Sequence, residues 1–255
     1  MNFDKAVFYT LAEGTGTSVS DALGNGPAGS VQGTTTNIWA NAGGFTVSNS
    51  AGAAGDNAIK IQDTYIDELC RLDNLNGSVV LMYWMRQPQV PNSGTRYIMS
   101  YGDIGTNTDG AYSLIDQSHV AVYSVRGGAT FEFGGGANTE SIVAAQNNQW
   151  LAYWANFDVL DGRLVVSCGI NGTPQRGSRL FNLESALPRV ASNGSGVRLL
   201  GRGAGASGSA NFIWGQTQVK RVFIGRVNGD QRHNIPQWAK QFYNTPTGIP
   251  DFMVA

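Results

Sequence analysis

The chain has 255 residues, 42% of them hydrophobic and 10% aromatic, but only 14% charged, against roughly 25% charged in typical soluble domains. Its formal net charge is -1 and no basic block stands out, which argues against nucleic-acid binding by phosphate neutralisation and against a polybasic membrane-surface stretch. No run of about 18 apolar residues occurs, so membrane insertion is not expected, and the length suits one large all-β domain, 1–255.

Short apolar runs separated by Gly, Asn, Asp and Ser clusters predict an all-β sandwich or barrel. Ala6 to Leu11 is the first strand, followed by a glycine-rich loop from Gly14 to Gly33. Phe45 with Val47, and Ala58 to Ile61, suggest two more. The strongest run, Val79 to Met85, is apolar on both faces, so it belongs in the centre of a sheet covered on both sides. Pro88 and Pro91 interrupt the pattern. Arg96 to Tyr101, Ala111 to Ile115, Val120 to Val125 and Thr130 to Phe133 then read as meander strands.

From Trp150 onward, Leu151, Tyr153, Ala155 and Phe157 share one face by their two-residue spacing. Asp161-Gly162 signals a hairpin. Leu164, Val166, Cys168 and Ile170 line one face of the returning strand, and Asn171-Gly172 makes the next tight turn. Val197 to Leu200 and Val219 to Ile224 are the last strands. One helix follows. Asn234 is its expected cap, Pro236 suits the first turn, and Ile235, Trp238, Ala239 and Phe242 form one stripe. Pro246 and Gly248 end it.

Cys70 and Cys168 are too few for a disulfide framework. Cys168 falls in an alternating run and reads as a buried thiol. The segment Met1 to Lys5 does not open a secretory signal, so synthesis and folding in a cytoplasm are expected.

Four blocks in this order resemble the laminin-G-like, concanavalin-A-like jelly-roll family over roughly Ala6 to Asn244. The first is Glu13 to Gly16 with Asp21, Ala22, Leu23, Gly24, Asn25 and Gly26, similar to the family's "D-x-x-G-N-G" loop. The second is Val79 to Met85 with Trp84. The third is Trp150 to Gly172, ending Ile170, Asn171, Gly172. The fourth is Val219 to Ile224 followed by a helix ending Phe242, Tyr243, Asn244. The resemblance implies an antiparallel two-sheet jelly-roll sandwich with one short C-terminal helix. Leu151 and Ala152 stand where the family often has histidines, and Lys220 and Arg221 where it often has an acidic pair. A family metal or ligand site is therefore not carried over.

Catalysis is not expected. Sugar hydrolysis needs two carboxylates facing one bond, yet Glu132 stands alone, and Asp67 and Glu68, if on a strand, would point to opposite faces. His119 and His233 are far apart, and no nucleophile elbow precedes a helix. Gly201, Gly203, Gly205 and Gly208 lack the lysine and helix of a phosphate loop. Asp103, Asn107 and Asp109 form an oxygen-rich loop of the kind calcium takes, but the same residues suit plain turns, so no cofactor is expected.

Aromatic rings stack on sugar faces while Asn and Asp fix hydroxyls. Trp84, Trp150, Tyr153 and Trp238 read as core. Trp39, Tyr97, Tyr101 and Trp214 border loops and, with Asp103, Asn107 and Asp109, are the ligand-site candidates. The signal-free, neutral, Gly/Ser/Thr/Asn-rich sandwich resembles those of bacteriophage structural proteins. The expected role is a non-catalytic virion protein, decorating a capsid or forming part of a tail or fibre. Its partners would be other virion proteins, copies of itself and a surface polysaccharide. The alternative is a carbohydrate-binding adhesin.

Overall fold

The computed structural model describes residues 2–32, 39, 45–46, 58–70, 77–86, 96–102, 110–115, 122–127, 129–133, 149–160, 163–174, 179–182, 197–199 and 218–254. The first strands are β1 (Lys5–Tyr9), β2 (Ser18–Val19), β3 (Gly29–Gln32), β4 (Phe45–Thr46) and β5 (Ala58–Ile61), followed by helix α1 (Thr64–Cys70). Then come β6 (Gly77–Arg86), β7 (Arg96–Gly102), β8 (Gly110–Ile115), β9 (Val122–Gly127), β10 (Ala129–Phe133) and β11 (Trp150–Leu160). The last are β12 (Arg163–Ile170), β13 (Thr173–Pro174), β14 (Arg179–Asn182), β15 (Val197–Leu199), β16 (Gln218–Asn228) and helix α2 (Ile235–Asn244).

These strands pair antiparallel into two sheets, as expected for the jelly-roll sandwich. One runs β1-β16-β6-β11-β12-β13, with β14 also on β12 and β4 also on β16; the other runs β10-β9-β8-β7-β15-β5-β3-β2. Strand alternation decides what lies between them. Leu81, Tyr83 and Met85 of β6, with Leu151, Tyr153, Ala155 and Phe157 of β11, face Val31, Ile59, Ile61, Val197 and Leu199 of the second sheet. Tyr83 and Tyr153 are directly opposed in register and their rings stack at 5.4 Å. Cys168 is buried in the same core.

The first sheet is apolar on its outer face too, which accounts for the double-sided run of β6. Phe8, Val80, Met82, Trp84, Trp154, Phe223 and Val227 point outward and are covered by Phe3, Phe252, Met253 and the α2 stripe of Ile235, Trp238, Ala239 and Phe242. Phe3 meets Phe223 edge-on at 5.0 Å, and Trp238 stacks on Phe252 at 5.9 Å. Burying each large apolar side chain contributes about 1.5–3 kcal/mol.

Three local expectations change. Asn234 makes no side-chain cap; a 3-10 turn over Gly229–Asn234 leads into α2, and the Asn234 amide donates to Gln231 Oε1 instead. Asp67 and Glu68 lie on helix α1, not on a strand. That helix is capped by the Asp63 carboxylate, which accepts from the Tyr65 N–H, and buries Ile66, Leu69 and Cys70. It is pinned by the Arg226 guanidinium on the Glu68 carbonyl at 2.8 Å and by the Lys5–Glu68 ion pair at 2.7 Å. Trp150 is only half-buried, against the outer face.

Both predicted hairpins occur. Leu160 pairs with Arg163 across a two-residue connection, 161–162, which lies outside the described residues. Asn171 (φ 51°) and Gly172 (φ 73°) both take left-handed backbone, the requirement of a tight type I′ turn. Asn171 also pairs with Ala152: its N–H donates to the Ala152 carbonyl at 2.7 Å and its Oδ1 accepts from the Ala152 N–H at 3.0 Å.

Candidate functional site

The seven candidates from the sequence are not gathered into one described site. Trp39 is half-buried against the inner core, and its indole N–H donates to the Gly16 carbonyl at 3.1 Å. Tyr97 and Tyr101 lie on β7, where Tyr97 is opposite Leu114, and Tyr101 is opposite Ala111 and Val197. Asp103, Asn107, Asp109 and Trp214, and with the first three the oxygen-rich loop, lie outside the described residues. Among the described residues no cluster of three His, Cys, Asp or Glu side chains could hold a metal.

A cleft of about 240 Å³ opens beside β1, lined by Asn2 to Ala6, Asn25, Tyr65 and Met253. Several of its polar groups already hold the protein together. The Asn2 amide donates to the Phe252 carbonyl at 3.1 Å, and Lys5 pairs with Glu68 while lying 4.7 Å from the Tyr65 ring centroid. The Tyr65 hydroxyl accepts from the Ala6 N–H at 3.0 Å and donates to the Ala6 carbonyl at 3.2 Å. The neighbouring Asp21 loop is also structural: its carboxylate accepts four backbone N–H groups, from Phe8, Leu23, Asn25 and Gly26, at 2.7–3.1 Å.

A different group of side chains meets beyond the C-terminal end of α2, on the outer face of the first sheet. Its position follows from register. Gln218, Arg86 and Trp150 stand in one row across β16, β6 and β11; Lys220, Trp84 and Ala152 stand in the next. Trp84 and Trp150 are thus diagonal neighbours, a separation of about 7–8 Å that large rings bridge. Tyr243, from the last turn of α2, stacks on Trp84 at 5.8 Å and an interplanar angle of 20°, and is 38% exposed. The Lys220 ammonium lies 4.3 Å from the Trp150 ring centroid and 5.7 Å from that of Trp84. The result is an aromatic shelf with a cation set into it.

A bulge in β16 makes this arrangement possible. Between Lys220 and Phe223, β16 has two residues where β6 has one. Val219 and Val222 face the inner core, so Lys220 and Arg221 both reach the outer face. Arg221 takes a left-handed backbone (φ 54°). Its guanidinium is buried over the Phe8 and Phe242 rings, at 5.1 and 5.6 Å. Burial pushes it down to about 10, which still leaves it charged at neutral pH. Burial, with the Arg221 charge second, also lowers the Lys220 ammonium from its ordinary value. Among the described residues no carboxylate pairs with Lys220. Trp84 Nε1 and Gln218 Oε1, on the same face, are shielded from solvent and have no hydrogen-bond partner among the described residues.

Sequence reasoning assigned Trp84 and Trp150 to the core and gave Lys220 and Tyr243 no binding role. The available signal was parity: with Leu151 and Tyr153 inward, Trp150 must be outward. The pairing of β11 with β6, and the bulge, were needed to bring the four together.

No protein-family model matches this sequence, and no curated protein matches it. Solved structures do share its architecture. The binding domain of botulinum neurotoxin serotype D/C (VPI 5993) superposes with a TM-score of 0.60 at 14% identity, over 94% of this chain and 52% of that one. A botulinum neurotoxin DC binding domain in complex with SialylT gives 0.58 at 13%, over 92% and 52%. A Trypanosoma rangeli sialidase in complex with 2,3-difluorosialic acid gives 0.54 at 14%, over 96% and 33%. The chain therefore spans about half the length of the neurotoxin domains it matches. At such identities the likeness establishes the β-sandwich fold alone. The expected virion role gains no support from these neighbours.

Proposed function

We propose that the chain is a carbohydrate-binding module that presents the Tyr243 and Trp150 rings, backed by the buried Trp84, to a saccharide. The observation that carries this reading is the outward-facing Tyr243 ring, held by its stack on Trp84 beside the half-buried Trp150. A sugar ring offers an apolar C–H face to such rings, and polar groups at the rim orient its hydroxyls. Gln218 and Arg86 stand in the adjoining row to do so. The saccharide ligands of the neurotoxin and sialidase neighbours support the same reading. It is a proposal for binding rather than turnover, since the shelf is built from rings, cations and an amide instead of paired carboxylates.

The test is a glycan-array screen followed by titration calorimetry. Wild-type protein should bind at least one polysaccharide class. Tyr243→Ala should weaken that binding at least tenfold while the urea unfolding midpoint stays near wild type. A screen with no ligand, or a ligand whose affinity ignores both Tyr243→Ala and Trp150→Ala, would overturn the proposal.

A further inference from the structure

Among the described residues the shelf holds cations and no carboxylate within ion-pair distance of Lys220. The β16 bulge delivers two consecutive cations to one face. Arg221 sets its two Nη groups on backbone carbonyls: Nη1 donates to Gly248 at 2.7 Å and Nη2 to Thr245 at 2.8 Å. Among the described residues Lys220 has no such acceptor. It is half-withdrawn from water, held over two indole faces and next in sequence to a buried cation. Ring quadrupoles attract an ammonium, but they do not neutralise it. A partly desolvated charge is stabilised most by an opposite charge with good hydrogen bonds. Trp84 stands opposite Lys220 in register, and its shielded Nε1 donor has no hydrogen-bond partner among the described residues.

From this geometry we infer that the shelf selects an acidic saccharide, its ring lying on Tyr243 and Trp150 and its carboxylate or sulfate meeting the Lys220 ammonium. This inference rests on the shelf being a saccharide site and adds the ligand's charge. A lysine suits the role, because its ammonium acts as a point charge that does not require the planar, bidentate match of arginine. The same withdrawal from water that makes the bare ammonium costly strengthens its attraction for an anion.

Titration calorimetry with ligand pairs that differ only in charge decides the matter: oligogalacturonate against its methyl ester, and a sulfated galactan fragment against its unsulfated form. The charged member of at least one pair should bind wild-type protein at least tenfold more tightly. Lys220→Gln should remove that preference, so that the charged and neutral members of the pair bind the variant equally. Lys220→Arg, which keeps the charge, should retain most of the preference and guards against a folding artefact. Equal binding of charged and neutral members to wild type would overturn the inference while leaving the saccharide site standing. A preference that survives Lys220→Gln would also overturn it. Binding of neither member in both pairs, together with an empty glycan screen, would remove the site and the inference together.

Discussion

The Arg221 guanidinium donates to the Gly248 carbonyl oxygen at 2.7 Å, tying the bulged strand β16 to the chain beyond α2. With its second bond, to Thr245, it fixes the path by which residues 245–253 return to cover the outer face. Hydrogen bonds to charged groups contribute about 1.5–3 kcal/mol. Arg221→Met should therefore lower unfolding stability by about 2–3 kcal/mol, read as a drop in urea midpoint at unchanged m-value. Arg221→Lys should recover less than half, because one ammonium cannot reproduce the fork. A variant as stable as wild type would show that the C-terminal segment is held by its apolar contacts alone.

Asp21 holds its loop by accepting from Phe8, Leu23, Asn25 and Gly26. Removing the acceptor leaves the Phe8 N–H with no partner inside the sandwich, a penalty of about 1–3 kcal/mol. Asp21→Ala should cost about 2–3 kcal/mol, and Asp21→Asn less, since one acceptor oxygen remains. Amide hydrogen exchange should quicken at Asn25 and Gly26 well before the core opens. Unchanged exchange at those two amides would contradict this account of the loop.

Alkaline pH should weaken the fold in a defined window. Burial pushes the Cys70 thiol up, with the Asp67 charge adding to it, and pushes up the Tyr9 and Tyr153 phenols, with Asp21 adding to Tyr9. The Tyr9 hydroxyl also donates to the Pro27 carbonyl at 2.7 Å, a bond it cannot make once ionised. The unfolded chain ionises first, from about pH 8.5 for the thiol and about 10 for the phenols. Above those values the native state binds more protons, so stability falls as pH rises; below about 8.5 it is fully present. The loss is at most about 1.4 kcal/mol per pH unit for each group. Urea midpoints measured from pH 7 to 10.5 should decline from about pH 8.5, and Cys70→Ala should delay that decline. A flat profile through pH 10.5 would show that these groups are solvated in the native state.

Much of the sandwich was legible because its central strands are long and strictly alternating. The double-sided run Val79 to Met85 announced a strand covered twice, and the covers are the second sheet and the layer built on α2. Asn171-Gly172 announced its turn through backbone chemistry. Helix α1 escaped notice because seven residues hold barely two turns of pattern. Asn234 looked like a cap, but the preceding 3-10 turn starts the helical path six residues earlier. The shelf was illegible for a different reason. Trp84, Trp150, Lys220 and Tyr243 come from four distant segments, and only strand register with a one-residue bulge brings them together. A bulge obeys no periodicity, so alternation alone sends Lys220 and Arg221 to opposite sides.

Strand β1 pairs with β16, far later in the chain, with Tyr9 opposite Val222. At ordinary translation speeds, roughly ten to forty seconds separate the emergence of the two. Throughout that interval Val7, Phe8 and Tyr9 lack the strand they pair with in this sheet. The growing chain thus carries an unpaired apolar strand until β16 is made, and a truncated product ending before β16 would be aggregation-prone through β1.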